Sequence, residues 1–202
     1  MTALPNKKTF LRHTIRPITL EKYFQVEETA AEKSEYHHGF SVKMAGGSFN
    51  HDNIASKAIH LLLAFVEESE IFYFVNGSDT KIRIEDHDKV VYADALVVCE
   101  EPAFYNNRTD TITNPLLIVE VLSLSTANFD KGLKFEYYKS LPSFKEYVLI
   151  HQDSKKVSVF TKQNNDTWLI KDYKGDESTA ILHALHECPL ALKRLYRGLK
   201  ID

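Results

Sequence analysis

Apolar and polar residues recur along the chain in an order that predicts alternating helices and strands. Behind Thr19, a residue type that caps helix starts, Leu20, Tyr23 and Phe24 follow helical spacing up to Val26. Ser34–Tyr36 and Phe40–Met44 flank His37-His38-Gly39, a turn-forming run in which glycine accepts positive φ. Asn50 to Glu68 is the clearest helix of the first half. There Ile54, Ala58, Ile59, Leu61, Leu62, Phe65 and Val66 recur mostly at three- and four-residue steps. Strands are predicted at 71–75, 80–84 and, most strongly, 90–98 (VVYADALVV), with Asn76-Gly77 as a turn. A long connection over 99–113 leads to the apolar run Leu116–Leu122. A helix carrying Lys131, Lys134 and Tyr138 follows and stops before Pro142. A strand at 147–150, a hairpin of 157–161 with 167–173, and a short terminal helix opening at Pro189 complete an α/β pattern around one central sheet.

Two acids interrupt the apolar runs. Asp94 stands in the middle of 90–98 and Glu120 in the middle of 116–122. Burying an unpaired charge costs several kcal/mol, so each acid calls for a cation, which a lysine, an arginine or a metal supplies. Side chains alternate across a strand, which places Tyr92, Asp94, Leu96 and Val98 on one face, and Ile118, Glu120 and Leu122 on one face of theirs. If the two strands are neighbours, the carboxylates approach within a few ångströms. Two close carboxylates ionise together only around a cation. Oxygen-only ligands then point to Mg²⁺ or Mn²⁺ rather than zinc. An ion pair for each acid is the plainer alternative, and the pattern alone leaves both open.

Composition narrows the classes. A chain of 202 residues suits a single domain over 19–202 behind a flexible N-terminal arm, 1–18. The formal charge of −3 excludes a chain that is basic all over, so a polyanion would have to be met by a local patch. Arg12, Arg16, Lys131, Lys134 and Lys139 are the candidates for such a patch. Cys99 and Cys188 lie far apart with no CxxC pattern, which favours a reducing compartment. The N-terminus lacks the apolar core of a signal peptide, and no run reaches membrane-spanning length. The expectation is a cytoplasmic protein with no membrane partner. No nucleophilic triad, phosphate-cradling glycine loop, dinucleotide-binding glycine pattern or zinc motif occurs.

Several residues keep a recognisable spacing: Tyr92-Ala93-Asp94, Val119-Glu120-Val121-Leu122-Ser123, Asp130, Lys134, Tyr138 and Glu146-Tyr147-Val148-Leu149. Together they resemble the Uma-two family of endonucleases, within the PD-(D/E)XK superfamily. The resemblance spans residues 19 to 200 and is most specific from Asn114 to Ile150. It implies a restriction-endonuclease-like fold: a mixed β-sheet core flanked by helices, an N-terminal helix–hairpin addition, and a C-terminal hairpin plus helix. It also implies a Mg²⁺- or Mn²⁺-dependent DNA endonuclease, with Asp94 and Glu120 as metal ligands and Lys134 as the catalytic lysine.

Two departures stand out. Ala93 replaces the proline before the first acid, and Leu122 occupies the position where the motif's lysine would fall. Lys134, on the following helix, matches the place the lysine takes in this family. Glu35 and His51 match recurring positions and are expected at the rim of the site. Tyr138, one turn beyond Lys134, is expected to orient it. Packing, capping or surface exposure is the plain alternative for each of the three. Ser123, Ser125 and Thr126 are expected to cap the helix after Glu120, where free N–H groups would also suit a phosphate. Cutting both strands of a duplex favours a homodimer. The competing expectation, which Leu122 favours, is a catalytically inactive nucleic-acid-binding or dimeric interaction module that retains the nuclease fold.

Overall fold

The structure, a computed structural model, describes residues 17–69, 72–123, 127–164 and 167–201. The arm expected at 1–18, with Arg12 and Arg16, lies almost wholly outside the described residues, as do Ser125 and Thr126.

The first helix, α1 (Leu20–Glu27), starts at Thr19, whose side chain accepts a hydrogen bond from the Lys22 N–H at 3.1 Å. It buries Tyr23 and Phe24. Strands β1 (Ser34–His37) and β2 (Phe40–Lys43) form the expected hairpin. His38 and Gly39 both take positive φ at its tip, as a tight two-residue turn requires. Ser48 caps α2 (Phe49–Glu68), which buries Ile54, Ala58, Leu61, Leu62 and Val66.

Strands β3 (Tyr73–Gly77), β4 (Lys81–Ile84), β5 (Lys89–Tyr92) and β6 (Ala95–Cys99) follow, then β7 (Thr111–Ile112) and β8 (Leu117–Leu122). The next helical segment has three parts: α3 (Ala127–Phe129), a π-helical turn (Asp130–Lys134) and α4 (Phe135–Lys139). The remaining elements are β9 (Glu146–His151), β10 (Lys156–Lys162), β11 (Trp168–Lys174), β12 (Thr179–Leu182), β13 (Cys188–Ala191) and α5 (Leu192–Leu195). No described helix is long and apolar enough to cross a membrane.

Among the described residues the strands form three sheets rather than the one expected. Their orders are β2-β1-β5-β4-β7, β11-β10-β9-β8-β6-β3, and the pair β12-β13. The run 90–98 accounts for most of this difference. It is two strands, β5 and β6, in different sheets, and Ala93-Asp94 is the step between them. Both halves are buried, so their apolar residues read as one strand. Asn76-Gly77 belongs to β3 rather than to a turn, and the chain reverses over 78–80. Pro189 lies in β13 opposite Ile181, leaving only Leu192–Leu195 for the terminal helix.

Strand β8 lies inside the six-stranded sheet, parallel to β9 and antiparallel to β6. Val119 and Val121 face a core shared with Ile54, Leu61 and Leu62 of α2 and with Leu192 and Leu195 of α5. Ile118 and Leu122 face the opposite core, built with Phe135 and Tyr138 of α4 and with Ile82, Ile84 and Val91 of the other sheet. Truncating a core residue such as Leu62 or Ile118 to Ala should cost about 2–5 kcal/mol. Period-two alternation therefore points Glu120 into the second core, between the sheet and the helical segment.

Candidate active site

Glu120 is 5% exposed. Its Oε1 meets Lys134 Nζ at 2.9 Å and accepts a hydrogen bond from Tyr138 OH at 3.0 Å. Lys134 reaches it because the π-helical turn ends at that residue, and Tyr138 follows four residues later on the same side. The same ammonium lies 3.6 Å from Glu35 Oε1 and 3.9 Å from Asp130 Oδ1. One lysine thus stands among three acids.

Asp94 sits at the break between β5 and β6. Continuing the Ala95–Val119 register by one step sets it opposite Glu120. Its Oδ2 accepts the Val121 N–H at 2.6 Å and lies 3.3 Å from Nε2 of His51, in the first turns of α2. His51 Nδ1 lies 3.3 Å from Asp52 Oδ1.

The electrostatics follow from burial and neighbours. Burial pushes the Glu120 carboxyl up to about 8, with Asp94 and Asp130 adding to the effect and Lys134 opposing it. For Lys134, burial works against the charge, but Glu120, Glu35 and Asp130 outweigh it and hold the ammonium well above the ordinary lysine range. Burial also opposes ionisation of Glu35, yet Lys134, His37 and the Tyr92 N–H bring its carboxyl below the usual value. The hydrogen bond to Asp94 raises His51 to about 9 against the opposing effect of burial.

The oxygen atoms show what this arrangement can hold. Among the described residues Glu120 is engaged through Oε1 and Asp94 through Oδ2, so each carboxylate keeps its second oxygen for another cation. Glu35 differs: Oε1 accepts from Tyr92 N at 3.2 Å and faces Lys134, while Oε2 meets His37 Nε2 at 2.9 Å. No group of three or more His, Cys, Asp or Glu able to hold a metal occurs among the described residues. Two hard oxygen donors, with the remaining positions left to water and phosphate, fit Mg²⁺ or Mn²⁺ and do not fit a closed zinc site.

Asp94, Glu120, Lys134, Glu35, His51 and Tyr138 thus come together from β1, α2, β8, the helical segment and the β5–β6 step. Tyr138 hydrogen-bonds Glu120 rather than Lys134. Lys139 pairs with Glu136, Lys134 is buried and Lys131 is exposed, while Arg12 and Arg16 of the expected basic patch lie outside the described residues. The pattern gave Asp130 no role of its own, read His37 only as part of a turn, and passed over Lys89. The four-residue step from Asp130 to Lys134 is the one signal that could have drawn attention to the first.

Residues 20–193 match the model of the Uma2 family, described as "Putative restriction endonuclease". Two uncharacterised proteins of Synechocystis sp. are similar to the chain. One is 36% identical over 165 residues, covering 82% of this chain and 92% of its own length. The other is 32% identical over 179 residues, covering 89% and 91%. A crystal structure from Anabaena variabilis, described as a "putative nuclease belonging to DUF820", matches with a TM-score of 0.71 at 17% identity. The match covers 89% of this chain and 98% of that one, so the two share a fold.

Proposed function

The chain belongs to the Uma2 family, and from that premise we propose that it is a Mg²⁺- or Mn²⁺-dependent DNA endonuclease. In this reading Asp94 and Glu120 hold the metal, and Lys134 meets the negative charge that develops on the scissile phosphate. The observation that carries the reading is the buried Glu120, opposite Asp94, sharing one oxygen with Lys134 and keeping the other. When bound, the metal polarises the phosphate and lowers the pKa of an attacking water.

The protein's own groups do the positioning. Val121 N–H and His51 fix Asp94 through Oδ2. Tyr138 fixes Glu120 through Oε1. Glu35 and Asp130 help keep Lys134 protonated, so its charge does not depend on Glu120 alone. Apolar side chains around Ile118, Leu122, Phe135 and Leu149 exclude water from the base of the site, which strengthens each of these interactions. A homodimer in the cytoplasm, with one site for each strand of a duplex, completes the reading.

Leu122, apolar and 4% exposed on the face of Glu120, favours the second reading: a module that binds nucleic acid without cutting it. One assay separates the two. Purified protein is incubated with supercoiled plasmid, single-stranded DNA and branched DNA, with Mg²⁺ or Mn²⁺ and with chelator. The nuclease reading expects metal-dependent cleavage that is lost in Asp94→Ala and Glu120→Gln. Salt-dependent binding without cleavage would support the second reading, and cleavage that survives both chelator and Asp94→Ala would refute the metal mechanism.

A further inference from the structure

From Glu35 two further residues, His37 and Lys89, lead outward from the site, and the reading above uses neither. Glu35 Oε2 lies 2.9 Å from His37 Nε2. His37 Nδ1 lies 3.1 Å from Lys89 Nζ. Lys89 Nζ sits 4.5 Å from the centre of the Tyr137 ring, over its face, where a cation is favoured. The backbone builds this line directly. Glu35 and His37 are two apart on β1 and so share a face, while His37 and Lys89 are a register pair between β1 and β5. Glu35 is 8% exposed and Lys89 4%, so neither is a loosely held surface charge.

We propose that His37 and Lys89 are positioning residues that lock Glu35 as the standing counter-ion of Lys134, and thereby keep Glu35 from acting as a third metal ligand. The lock follows from donor and acceptor chemistry. A lysine ammonium only donates, so His37 Nδ1 accepts from Lys89 and carries no proton. The imidazole proton is then on Nε2, from which it donates to Glu35 Oε2. With Oε1 already taken by the Tyr92 N–H and Lys134, both oxygens of Glu35 are committed, whereas among the described residues Asp94 and Glu120 are each engaged through one. The arrangement separates Asp94 and Glu120, which can ligate a cation, from Glu35, which holds the lysine beside Asp130. It rests on the nuclease reading only for its effect on cleavage.

The nitrogen chemical shifts of His37 in ¹⁵N-labelled full-length protein test the lock directly. The Nε2–H form is expected, and an Nδ1–H form would overturn the proposal. Lys89→Met should remove the preference and lower plasmid cleavage by about 10- to 100-fold, the usual cost of losing an outer partner of a site residue. Lys89→Arg should restore most of it. A folded Lys89→Met chain with wild-type His37 shifts and wild-type cleavage would overturn the proposal. If Lys89→Met does not fold, His37→Gln, whose amide can still donate to Glu35, should retain more cleavage than His37→Leu, and equal cleavage in the two would overturn it. A wild-type chain that cuts no DNA would sink the nuclease reading alone, because the His37 shifts and their response to Lys89→Met still decide the lock.

Discussion

Glu120 and Glu146 stand on neighbouring parallel strands, β8 and β9, and both are buried, yet the protein serves them in opposite ways. Glu146 Oε1 accepts from Thr161 Oγ1 at 2.7 Å and from the His183 N–H at 3.0 Å, and its Oε2 accepts the Ala184 N–H at 3.2 Å. Every donor is neutral and both oxygens are used, so the carboxylate ties β9 to β10 and to the turn that follows β12. Among the described residues Glu120 takes an ammonium and a phenol on one oxygen and leaves the other. A fully subscribed buried acid holds a fold together. One that is buried, crowded by like charges and left with an oxygen in hand is suited to a cation that arrives from outside.

Mutation can break this contrast, and the largest effect is expected at Glu120. Glu120→Gln should reduce metal-dependent DNA cleavage at least about 100-fold, the scale of losing one charge-stabilising group in a site. The melting temperature should change little, because Lys134 keeps Glu35 and Asp130 as counter-ions and the amide oxygen still accepts from Tyr138. A lowered melting temperature with cleavage intact would reverse the assignment. Glu146→Ala should do the opposite: a loss of about 2–4 kcal/mol in stability, from two backbone N–H groups and a hydroxyl left unpaired, with cleavage per folded molecule unchanged. Urea unfolding and a cleavage assay on the same samples read both outcomes.

Metal should sharpen the contrast. At about 100 times its dissociation constant, Mg²⁺ should stabilise the wild type by about 2.7 kcal/mol. Glu146→Gln should gain as much and Asp94→Ala nothing, as thermal unfolding with and without Mg²⁺ would show.

The smallest expected effect is on pH. Burial raises the Glu146 carboxyl above its ordinary value of 4.5, with Thr161 and the His183 and Ala184 N–H groups opposing. Its contribution to stability is therefore complete below 4.5 and is lost as pH rises through the folded-state value. Glu146→Gln should lack that decline, so its stability relative to the wild type should improve as the pH is raised from about 4.5 toward neutral. An unchanged difference across that range would mean that Glu146 titrates alike in the folded and unfolded chain.

Much of this was legible in the residue pattern, and the parts that were not have physical reasons. Glu120 could be found because a strand alternates, and a lone acid on an apolar face stands out. Lys134 could be placed because it matched a family position, although the π-helical turn that delivers it leaves no mark in a helical pattern. Asp94 stands out as an acid in an apolar run, but its position at the break between β5 and β6 does not. Burial of both β5 and β6 erases the polar side that marks a strand's end, and no Gly or Pro punctuates Ala93-Asp94. Three sheets were read as one for the same reason. His37 and Lys89 were invisible because what joins them is the pairing of β1 with β5, across a long stretch of chain. The β12–β13 pair was missed because Pro189, at the start of an apolar run, also suits a helix's first turn.

The most direct test of the central claim, that Asp94 and Glu120 share a divalent cation, is Mn²⁺ binding followed by electron paramagnetic resonance. One Mn²⁺ should bind per wild-type chain, displaced by Mg²⁺ and lost in both Asp94→Ala and Glu120→Gln, with Glu146→Gln binding as the wild type does. Unchanged Mn²⁺ binding in folded Asp94→Ala and Glu120→Gln would contradict that claim.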